Sequence, residues 1–566
     1  MLWHPFQSEA RAAADTRGVP LFVLLVAAWC ERSRALRAAL EACATEADLA
    51  GCLPVLVDKD AHPELDRRLR GAGWPSAALV SSEGELLEEL PVRSAEELLQ
   101  ALRAAAPLGL TPRARRSPAP HLGAQVAPGG LDERLVERVV ATLIETSDPV
   151  HGGWGARQKF PHPEALHLLL VRWSETGDPR TLDTVLRTLR AMQAGAIHDR
   201  VEGGFYRFTR GADWSAPQTE KPLDSNAKRM LAYVEAYQAL GEEDFAATAR
   251  GIQGFIESRL LDPATGVFRA GQDEDPVYAN LPTAAARARR GAPPIDPRVL
   301  TDRNAAAVIA LLKVAVVLDD PRSEALALRA LDFLLAHLWD PEQGAAHYWN
   351  GAWNQPGFLC DQGALLRALV EAVHCAGANR YLAPAEQLAR TALRDLADDD
   401  GAFRASVHAA PRAGREREDR ELVENAVLAE ALIRLGHLVR RPELVDRGRA
   451  ALAAFQRDHL RFGFDAAAYG RAVDLCVHPP VHVTVVGPVA DPLTRALHRA
   501  ALRPYVASRL VQTVDPASQP ELLQRTGLPA QRGASAARAY IARGDRSYAE
   551  TDDPHRLPAL MSRTER

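Results

Sequence analysis

The run Ala-Ala-Ala-Val-Ile-Ala-Leu-Leu-Lys-Val-Ala-Val-Val, residues 305–317, contains a single charged side chain, Lys313. Its apolar residues recur at helical spacing and lie around most of the circumference of the helix that this spacing predicts. A helix that is apolar on nearly all sides is buried among other helices. The run therefore predicts an inner helix that outer helices cover.

Helical spacing of apolar residues extends from Leu131 to about His459, with few strand signals. Glycine followed within two residues by an aromatic residue recurs at the helix junctions, which is a weak internal repeat. Stacked hairpins of this size can close into an α/α barrel, whose loops at one end line a pocket. The predicted helices include Leu131–Glu145, Pro163–Thr176, Thr181–Ala194, Asn226–Leu240, Asp302–Val317, Leu359–Val373, Leu422–Val439 and Leu444–Phe455.

Strand and helix signals alternate over about the first hundred residues. Their order, β-α-β-α-β-β-α, is typical of a small α/β domain in which helices pack on a mixed sheet. Ser94 and Glu97 form a capping box that opens the last helix of this domain. The predicted strands are Leu21–Val26, Leu53–Val57, Ser76–Val80 and Leu86–Leu90.

Changes in composition suggest where the domains end. Proline and arginine dominate Pro107–Pro128, which cannot bury much surface and is therefore a predicted linker. Beyond Pro480, Val481–Val486 and Arg509–Val514 are predicted strands of a small C-terminal α/β segment. The predicted division is a domain at 1–107, a linker at 108–130, a barrel at 131–478 and the C-terminal segment at 479–566.

Charge and cysteine content restrict the class of protein. The 566 residues include 68 basic and 73 acidic side chains, so the net charge of −5 gives no reason to expect a nucleic acid partner. No apolar run approaches the roughly 18 residues of a membrane helix, and the N-terminus has no secretion signal pattern. Six cysteines without framework spacing fit a reducing compartment, so we expect a cytoplasmic protein.

A turn near the N-terminus has the layout of a thioredoxin-type site with one of its two cysteines missing. Trp29-Cys30-Glu31-Arg32-Ser33 follows an apolar run and precedes Gly73-Trp74-Pro75. A helix N-terminus would lower the pKa of Cys30 and favour mixed disulfides. Ser33 cannot resolve such a disulfide, and Glu31 adds negative charge, so the alternative is a relic turn in which Cys30 is a small apolar residue.

Several further motifs occur in a fixed order along most of the chain. They include residues 3–6 (Trp-His-Pro-Phe), 152–161 (Gly-Gly-Trp-Gly-Ala-Arg-Gln-Lys-Phe-Pro), 203–208 (Gly-Gly-Phe-Tyr-Arg-Phe), 270–275 (Ala-Gly-Gln-Asp-Glu-Asp), 293–296 (Pro-Pro-Ile-Asp) and 356–359 (Pro-Gly-Phe-Leu). With these motifs the chain resembles the spermatogenesis-associated, thioredoxin-domain protein family. The resemblance implies a thioredoxin-like α/β domain followed by an (α/α)6 barrel related to six-hairpin glycosidases and N-acylglucosamine 2-epimerases, and a small C-terminal α/β segment.

The chain departs from that family at positions that matter for thiol chemistry. Relatives usually have Cys-His-Trp-Cys where residues 30–33 are Cys-Glu-Arg-Ser, so Ser33 stands at the second cysteine position. Gln218 replaces a histidine of the family's motif, and Ala542 and Ser547 stand where relatives often have cysteines. The resemblance therefore implies an architecture more firmly than a reaction.

Acidic and aromatic side chains in the predicted loops form the candidate site of the barrel. Sugar chemistry commonly uses two carboxylates or an acid–base pair, and aromatic rings stack on pyranose faces. The blander alternative is that these carboxylates cap helices or are solvated. The candidate catalytic residues, with the thiol included, are Cys30, Glu220, Asp273 and Asp361. The candidate substrate-binding residues are Tyr206, Trp214, Lys221, Asp275 and His198.

No metal or cofactor is predicted. The close cysteine–histidine pairs, Cys476 with His478 and His374 with Cys375, lack partners at zinc spacing. The glycine pairs lack the strand–turn–helix setting of a dinucleotide site. We therefore expect a barrel that binds or transforms a carbohydrate, as an isomerase, epimerase or hydrolase. The alternatives are a monothiol redox or chaperone-like protein that partners a protein thiol through Cys30, or a non-catalytic scaffold.

Overall fold

The computed structural model describes residues 3–6, 8–27, 30–69, 74–82, 85–105, 130–407, 420–528, 537–544 and 546–562. The chain forms two compact units. The N-terminal unit comprises Met1–His121 with Gln272–Glu274, and the barrel unit comprises Leu122–Gly271 with Asp275–Arg566. Trp29, Gly73 and the predicted linker up to residue 129 lie outside the described residues.

The N-terminal unit contains a five-stranded mixed sheet of order β1-β3-β2-β4-β5. β1 and β2 pair parallel with β3, whereas β4 pairs antiparallel with β2 and with β5. Phe22 and Leu24 of β2 lie in one apolar cluster, while Val23 and Leu25 lie in another, so both faces of this central strand are buried. The elements are β1 (His4–Pro5), α1 (Ser8–Arg17), β2 (Leu21–Val26), α2 (Glu31–Cys43), α3 (Glu46–Leu49), β3 (Leu53–Asp58), α4 (Pro63–Leu69), β4 (Ser76–Val80), β5 (Leu86–Leu90) and α5 (Ala95–Ala105).

Two concentric layers of helices form the barrel unit. In chain order the helices are α6 (Glu133–Thr146), α7 (Pro163–Thr176), α8 (Pro179–Ala194), α9 (Leu223–Leu240), α10 (Glu243–Phe255), α11 (Pro276–Ala279), α12 (Ala284–Arg290), α13 (Thr301–Val317), α14 (Pro321–His337), α15 (Leu359–Ala376), α16 (Leu382–Leu396), α17 (Leu422–Val439), α18 (Pro442–Ala453) and α19 (Ala467–Val477). The inner ring is α7, α9, α13, α15, α17 and α19, in which each helix contacts the next and α19 contacts α7. The outer helices α8, α10, α14, α16, α18 and α6 pack on them in that order. The predicted α/α barrel is therefore confirmed.

Inner and outer helices differ in how their apolar residues are distributed. The inner helix α13 contains the charge-poor run 305–317, and its Val308, Ala310 and Leu311 are fully buried. The outer helix α6 instead buries one stripe that includes Val136 and Leu143. Within the described ranges, no helix combines the length and the apolar composition that a membrane span requires.

An amide side chain in the first turn of four inner helices holds the loop that precedes the helix; we call this contact the amide clamp. The amide is the fourth residue of α9, α13, α15 and α17. In α13, the Phe268 N–H donates to Asn304 Oδ1 at 2.9 Å, and Asn304 Nδ2 donates to the carbonyl oxygens of Phe268 and Leu300. The clamped residue comes one or two positions after a glycine and is a phenylalanine in three of the four clamps, which gives the sequence repeat a structural basis. The four clamps are Asn226 with Phe205, Asn304 with Phe268, Gln362 with Ala345, and Asn425 with Phe403.

Short strands connect the barrel helices, and a four-stranded sheet of order β16-β15-β17-β18 follows them. This sheet covers the C-terminal end of α15, where the Val511 N–H donates to His374 Nδ1 at 2.9 Å. In β17 and β18, Ala542 lies opposite Ser547. The connecting strands are β6 (Phe208–Thr209), β7 (Pro217–Gln218), β8 (Lys221–Pro222), β9 (Gly271–Gln272), β10 (Ile295–Asp296), β11 (Val299–Leu300), β12 (Trp339–Asp340), β13 (Gly344–Trp349) and β14 (Trp353–Pro356). The C-terminal elements are β15 (Val481–Val486), α20 (Pro492–Leu502), β16 (Arg509–Val514), α21 (Pro520–Thr526), β17 (Arg538–Arg543), β18 (Arg546–Thr551) and α22 (Leu557–Ser562).

Candidate functional site

A cavity of about 190 Å³ lies on the barrel axis, and all six inner helices line it. The longer helices contribute side chains at intervals of three or four residues, which keeps those side chains on one face. At roughly 10–15 Å³ per water position, the volume corresponds to about 13 to 19 water positions. The cavity therefore has the size of a small ligand.

Five side chains in the first turns of the inner helices form what we call the acidic ring. They are Glu164, Asp224, Asp302, Cys360 and Glu424. All but the cysteine are carboxylates, and helix N-termini stabilise negative charge. Lys228, one turn further along α9, pairs with Glu164 at 2.9 Å. The ring thus offers a ligand mainly hydrogen-bond acceptors, with one ammonium group beside them.

The next layer of the cavity is apolar, and it separates the acidic ring from a second polar layer. Small side chains such as Ala306 and Ala364 leave the space that larger residues would fill. Beyond these apolar side chains, further from the N-termini of the inner helices, lies the layer that we call the polar floor. It consists of His167, Glu235, Arg367, Glu430 and Arg471.

Hydrogen bonds fix the ring orientation of His167 in the polar floor. His167 Nδ1 lies 2.5 Å from Glu235 Oε2, and Arg471 Nε donates to His167 Nε2 at 3.1 Å. Because Nε2 accepts a hydrogen bond, its lone pair is unprotonated, and the ring proton on Nδ1 is donated to Glu235. The imidazole is thus held between a carboxylate and a guanidinium group.

The two floor carboxylates remain ionised despite their burial. Burial by itself raises the pKa of Glu235, but its contact with His167 and the charges of Lys313 and Arg367 outweigh burial and hold the pKa at about 2. Burial likewise opposes ionisation of Glu430, and Arg367, Arg471 and Arg434 hold its pKa at about 2. Both residues therefore act as fixed negative charges at neutral pH.

We expect the barrel to lose stability as the pH falls from about 5 towards 2. Unfolded glutamates bind protons near pH 4.3, whereas the pKa of each buried floor carboxylate is about 2 in the folded state. The unfolded chain therefore binds protons first, and the contribution of these residues, complete above the unfolded pKa, is lost as the pH falls through the folded value. Urea unfolding across this range should show a shallower decline for Glu235→Gln than for the wild type. The exposed control Glu342→Gln should follow the wild type, and equal slopes for all three proteins would contradict the assignment.

The cavity has a negative formal charge. Six of the side chains that line it are carboxylates and three are basic. The low dielectric constant of a protein interior strengthens the interaction of these charges with a ligand. The lining therefore disfavours anionic ligands.

The four predicted catalytic residues are divided between the two units, two in each. In the N-terminal unit, Cys30 is 6% exposed at the start of α2, beside the cis Trp74–Pro75 peptide, and Asp273 pairs with Arg34 at 3.0 Å. In the barrel unit, Glu220 is buried against Arg207 at 3.1 Å. Asp361 is fully buried against His347 and follows the cavity residue Cys360 in α15. Neither of the two barrel-unit candidates lines the cavity, and Asp361 is the chain neighbour of the lining residue Cys360.

The predicted substrate-binding residues are held in local contacts of the barrel unit. Lys221 is fully buried in an ion pair with Asp199, and Tyr206 packs over its ammonium group at 5.2 Å. Trp214 is buried and donates to the His151 carbonyl at 2.8 Å. His198 stacks on Phe205, and Asp275 caps α11 and pairs with Arg290. None of these five residues, all of them described, lines the cavity.

The site residues predicted from the sequence lie mostly in loops, whereas the side chains that line the cavity belong to the inner helices. A signal for them exists, because a lone charge in an otherwise apolar inner helix must find a polar partner. His167, Glu235 and Glu430 each interrupt an apolar stretch in this way. Their convergence on one axis depends on ring closure, which pattern analysis of one helix at a time does not detect.

The solved structures that are similar to this chain include enzymes that act on carbohydrates. A sugar epimerase from a ruminal bacterium has a TM-score of 0.45 and 13% identity, covering 57% of this chain and 86% of that chain. Cellobiose 2-epimerase from Bacillus thermoamylovorans has a TM-score of 0.46 and 11% identity, covering 58% and 87%. A D-mannose isomerase has a TM-score of 0.46 and 13% identity, covering 59% and 88%.

Proteins with a similar sequence match only part of this chain. No protein-family model matches. Spermatogenesis-associated protein 20 of Mus musculus and of Homo sapiens are each 33% identical over 143 residues, which is 24% of this chain and 18% of the relative. An uncharacterized protein of Caenorhabditis elegans is 26% identical over 148 residues, 25% of this chain and 20% of the relative. The matches span about a fifth of the length of these relatives. Over the matched residues, they confirm the resemblance to the spermatogenesis-associated family that the motifs indicate.

Proposed function

We propose that the barrel cavity binds a small neutral carbohydrate and transforms it by acid–base chemistry. The observation that carries this proposal is the His167–Glu235 pair at the floor of a cavity lined by all six inner helices. Sugar hydroxyl groups both donate and accept hydrogen bonds. Carboxylates of the acidic ring accept them, and Arg367 and Arg471 in the polar floor donate them.

The charge of the lining favours a neutral sugar over a phosphorylated one. Two like charges 4 Å apart repel by about 4 kcal/mol at the effective dielectric constant of a protein surface. A phosphate beside Asp302 or Glu424 would meet such repulsion, with carboxylates outnumbering basic groups around it. A neutral sugar avoids this cost and keeps its hydrogen bonds.

His167 is the proposed acid–base group. Its Nε2 lone pair accepts from Arg471, so a ligand hydroxyl or an acidic C–H that displaces Arg471 would meet a base. Glu235 stabilises the imidazolium that forms when Nε2 takes the proton. Such a base suits an isomerase or an epimerase, in which a proton leaves a carbon next to a carbonyl group.

Hydrogen bonding rather than ring stacking would determine affinity. The described residues that line the cavity include no phenylalanine, tyrosine or tryptophan. The aromatic residues that the sequence suggested for stacking, Tyr206 and Trp214, are buried elsewhere in the barrel unit. The proposed recognition therefore depends on the acidic ring and the polar floor.

A thermal-shift screen tests binding. We expect neutral sugars to stabilise the full chain and sugar phosphates to do so less; a ligand at about 100 times its Kd stabilises by about 2.7 kcal/mol. Glu235→Gln and His167→Asn should weaken this stabilisation, whereas Asp275→Asn, outside the cavity, should retain it. Stronger stabilisation by sugar phosphates, or an equal loss in Asp275→Asn, would contradict the proposed site.

Solvent deuterium exchange tests the chemistry. With a sugar that stabilises the protein, we expect deuterium from D2O to enter a carbon-bound position, detected by NMR. His167→Asn should slow this exchange by about 10²- to 10⁴-fold. Binding without any exchange or cleavage would favour the non-catalytic scaffold, and reactivity confined to Cys30 would favour the thiol alternative.

A further inference from the structure

Three side chains of types that can bind a metal ion meet beside the cavity. His347 lies in β13, and Cys360 and Asp361 lie in the first turn of α15. His347 Nδ1 is 2.8 Å and Cys360 Sγ is 3.7 Å from Asp361 Oδ2. One ligand atom from each residue lies within 4.8 Å of the others. These separations are close to those between ligands that share one tetrahedral metal ion.

Asp361 adds an independent indication of a missing partner. Its side chain is fully buried, and no described residue forms a hydrogen bond with its Oδ1. A buried carboxylate oxygen without a partner carries a large desolvation cost. A cation bound at this group would remove that cost.

Two other groups of described side chains have a similar composition, but the charges around them differ from those around Asp361. In the group Glu371, His374 and Cys375, Arg434 pairs with Glu371 at 2.6 Å, and the Val511 N–H occupies His374 Nδ1. A guanidinium group therefore already occupies the place of a cation there.

The third group is neutralised in the same way. In Glu175, Asp474 and His478, Arg172 contacts both carboxylates, at 2.9 and 3.2 Å. Around Asp361, by contrast, a further charge that acts on it is that of Asp302, which is negative. The first cluster therefore combines ligand atoms with a nearby negative charge that attracts a cation.

We propose that His347, Cys360 and Asp361 bind one zinc ion. Nitrogen, sulfur and carboxylate oxygen together suit Zn²⁺, which is borderline soft, better than Mg²⁺ or Ca²⁺. Three protein ligands leave a fourth position open, and one of the three, Cys360, also lines the cavity. The site goes beyond the proposed sugar chemistry and does not depend on it.

Metal titration of the full chain tests the site. After treatment with a chelator, we expect the protein to bind one Zn²⁺ per chain, and Co²⁺ to give a thiolate charge-transfer band in the near ultraviolet. Cys360→Ser should abolish the band and weaken Zn²⁺ binding at least tenfold, and Asp361→Asn should weaken it similarly. Cys375→Ser, from the neutralised cluster, is the matched control and should bind as the wild type does.

X-ray absorption spectroscopy of the zinc-loaded wild type is a second test, and it does not depend on whether a variant folds. One sulfur at about 2.3 Å together with nitrogen or oxygen ligands is expected. No sulfur, or more than one, would overturn the assignment. So would a chain that binds no Zn²⁺, or a loss of affinity in Cys375→Ser equal to that in Cys360→Ser.

Discussion

Replacing Lys221 with methionine is expected to lower the free energy of unfolding by about 3–5 kcal/mol. The Lys221 ammonium group is fully buried, forms an ion pair with Asp199 and donates to the Gly203 carbonyl at 3.0 Å. Asp199 is itself 3% exposed, and Arg287 at 2.7 Å would be its remaining cationic partner. Methionine keeps the packing but leaves a buried carboxylate partly uncompensated. Urea unfolding of the full chain at pH 7 measures the loss.

An exposed ion pair provides the control for this prediction. Arg190 pairs with Glu242 at 2.9 Å, with 59% and 36% of the two side chains exposed. Arg190→Met should therefore cost less than about 1 kcal/mol. A different result would assign another role to Lys221. If Lys221→Met also cost less than about 1 kcal/mol and the variant no longer bound sugar, Lys221 would be a ligand-binding residue, as the sequence suggested, and not a structural one.

Replacing Asn304 with leucine is expected to destabilise the barrel by about 2–4 kcal/mol, because it leaves buried backbone groups without hydrogen bonds. Leucine has the same number of side-chain heavy atoms as asparagine and branches at the same carbon, but its methyl groups form no hydrogen bonds, so the change removes the amide clamp. The Phe268 N–H and carbonyl oxygen would lose the partners that lie 2.9 Å away in the native chain. Unfolding should therefore shift to lower urea concentration without a change in slope.

Asn280 is the matched control for the clamp. It is exposed and donates through Nδ2 to the Pro276 carbonyl at 2.9 Å. Asn280→Leu should change stability by less than about 0.5 kcal/mol, as surface changes usually do. An equal effect of the two substitutions would show that the buried clamp contributes no more than a surface hydrogen bond.

Local pattern predicts much of this fold because each inner helix is buried on nearly every side. Helix α17 and strands β15 and β16 have the bounds that the sequence indicates, Leu422–Val439, Val481–Val486 and Arg509–Val514. The site is less predictable. Its floor residues His167, Glu235 and Arg471 lie on three helices that are far apart in sequence, and ring closure brings them together.

The sequence by itself determined the alternation of strands and helices and the apolar inner helices, because periodicity is local. Only the tertiary structure decided which charges share a cavity. Lys221 and Glu220 have partners in nearby loops and so are buried there. Residues with no such local partner, such as Glu235, meet theirs only where six helices converge on one axis.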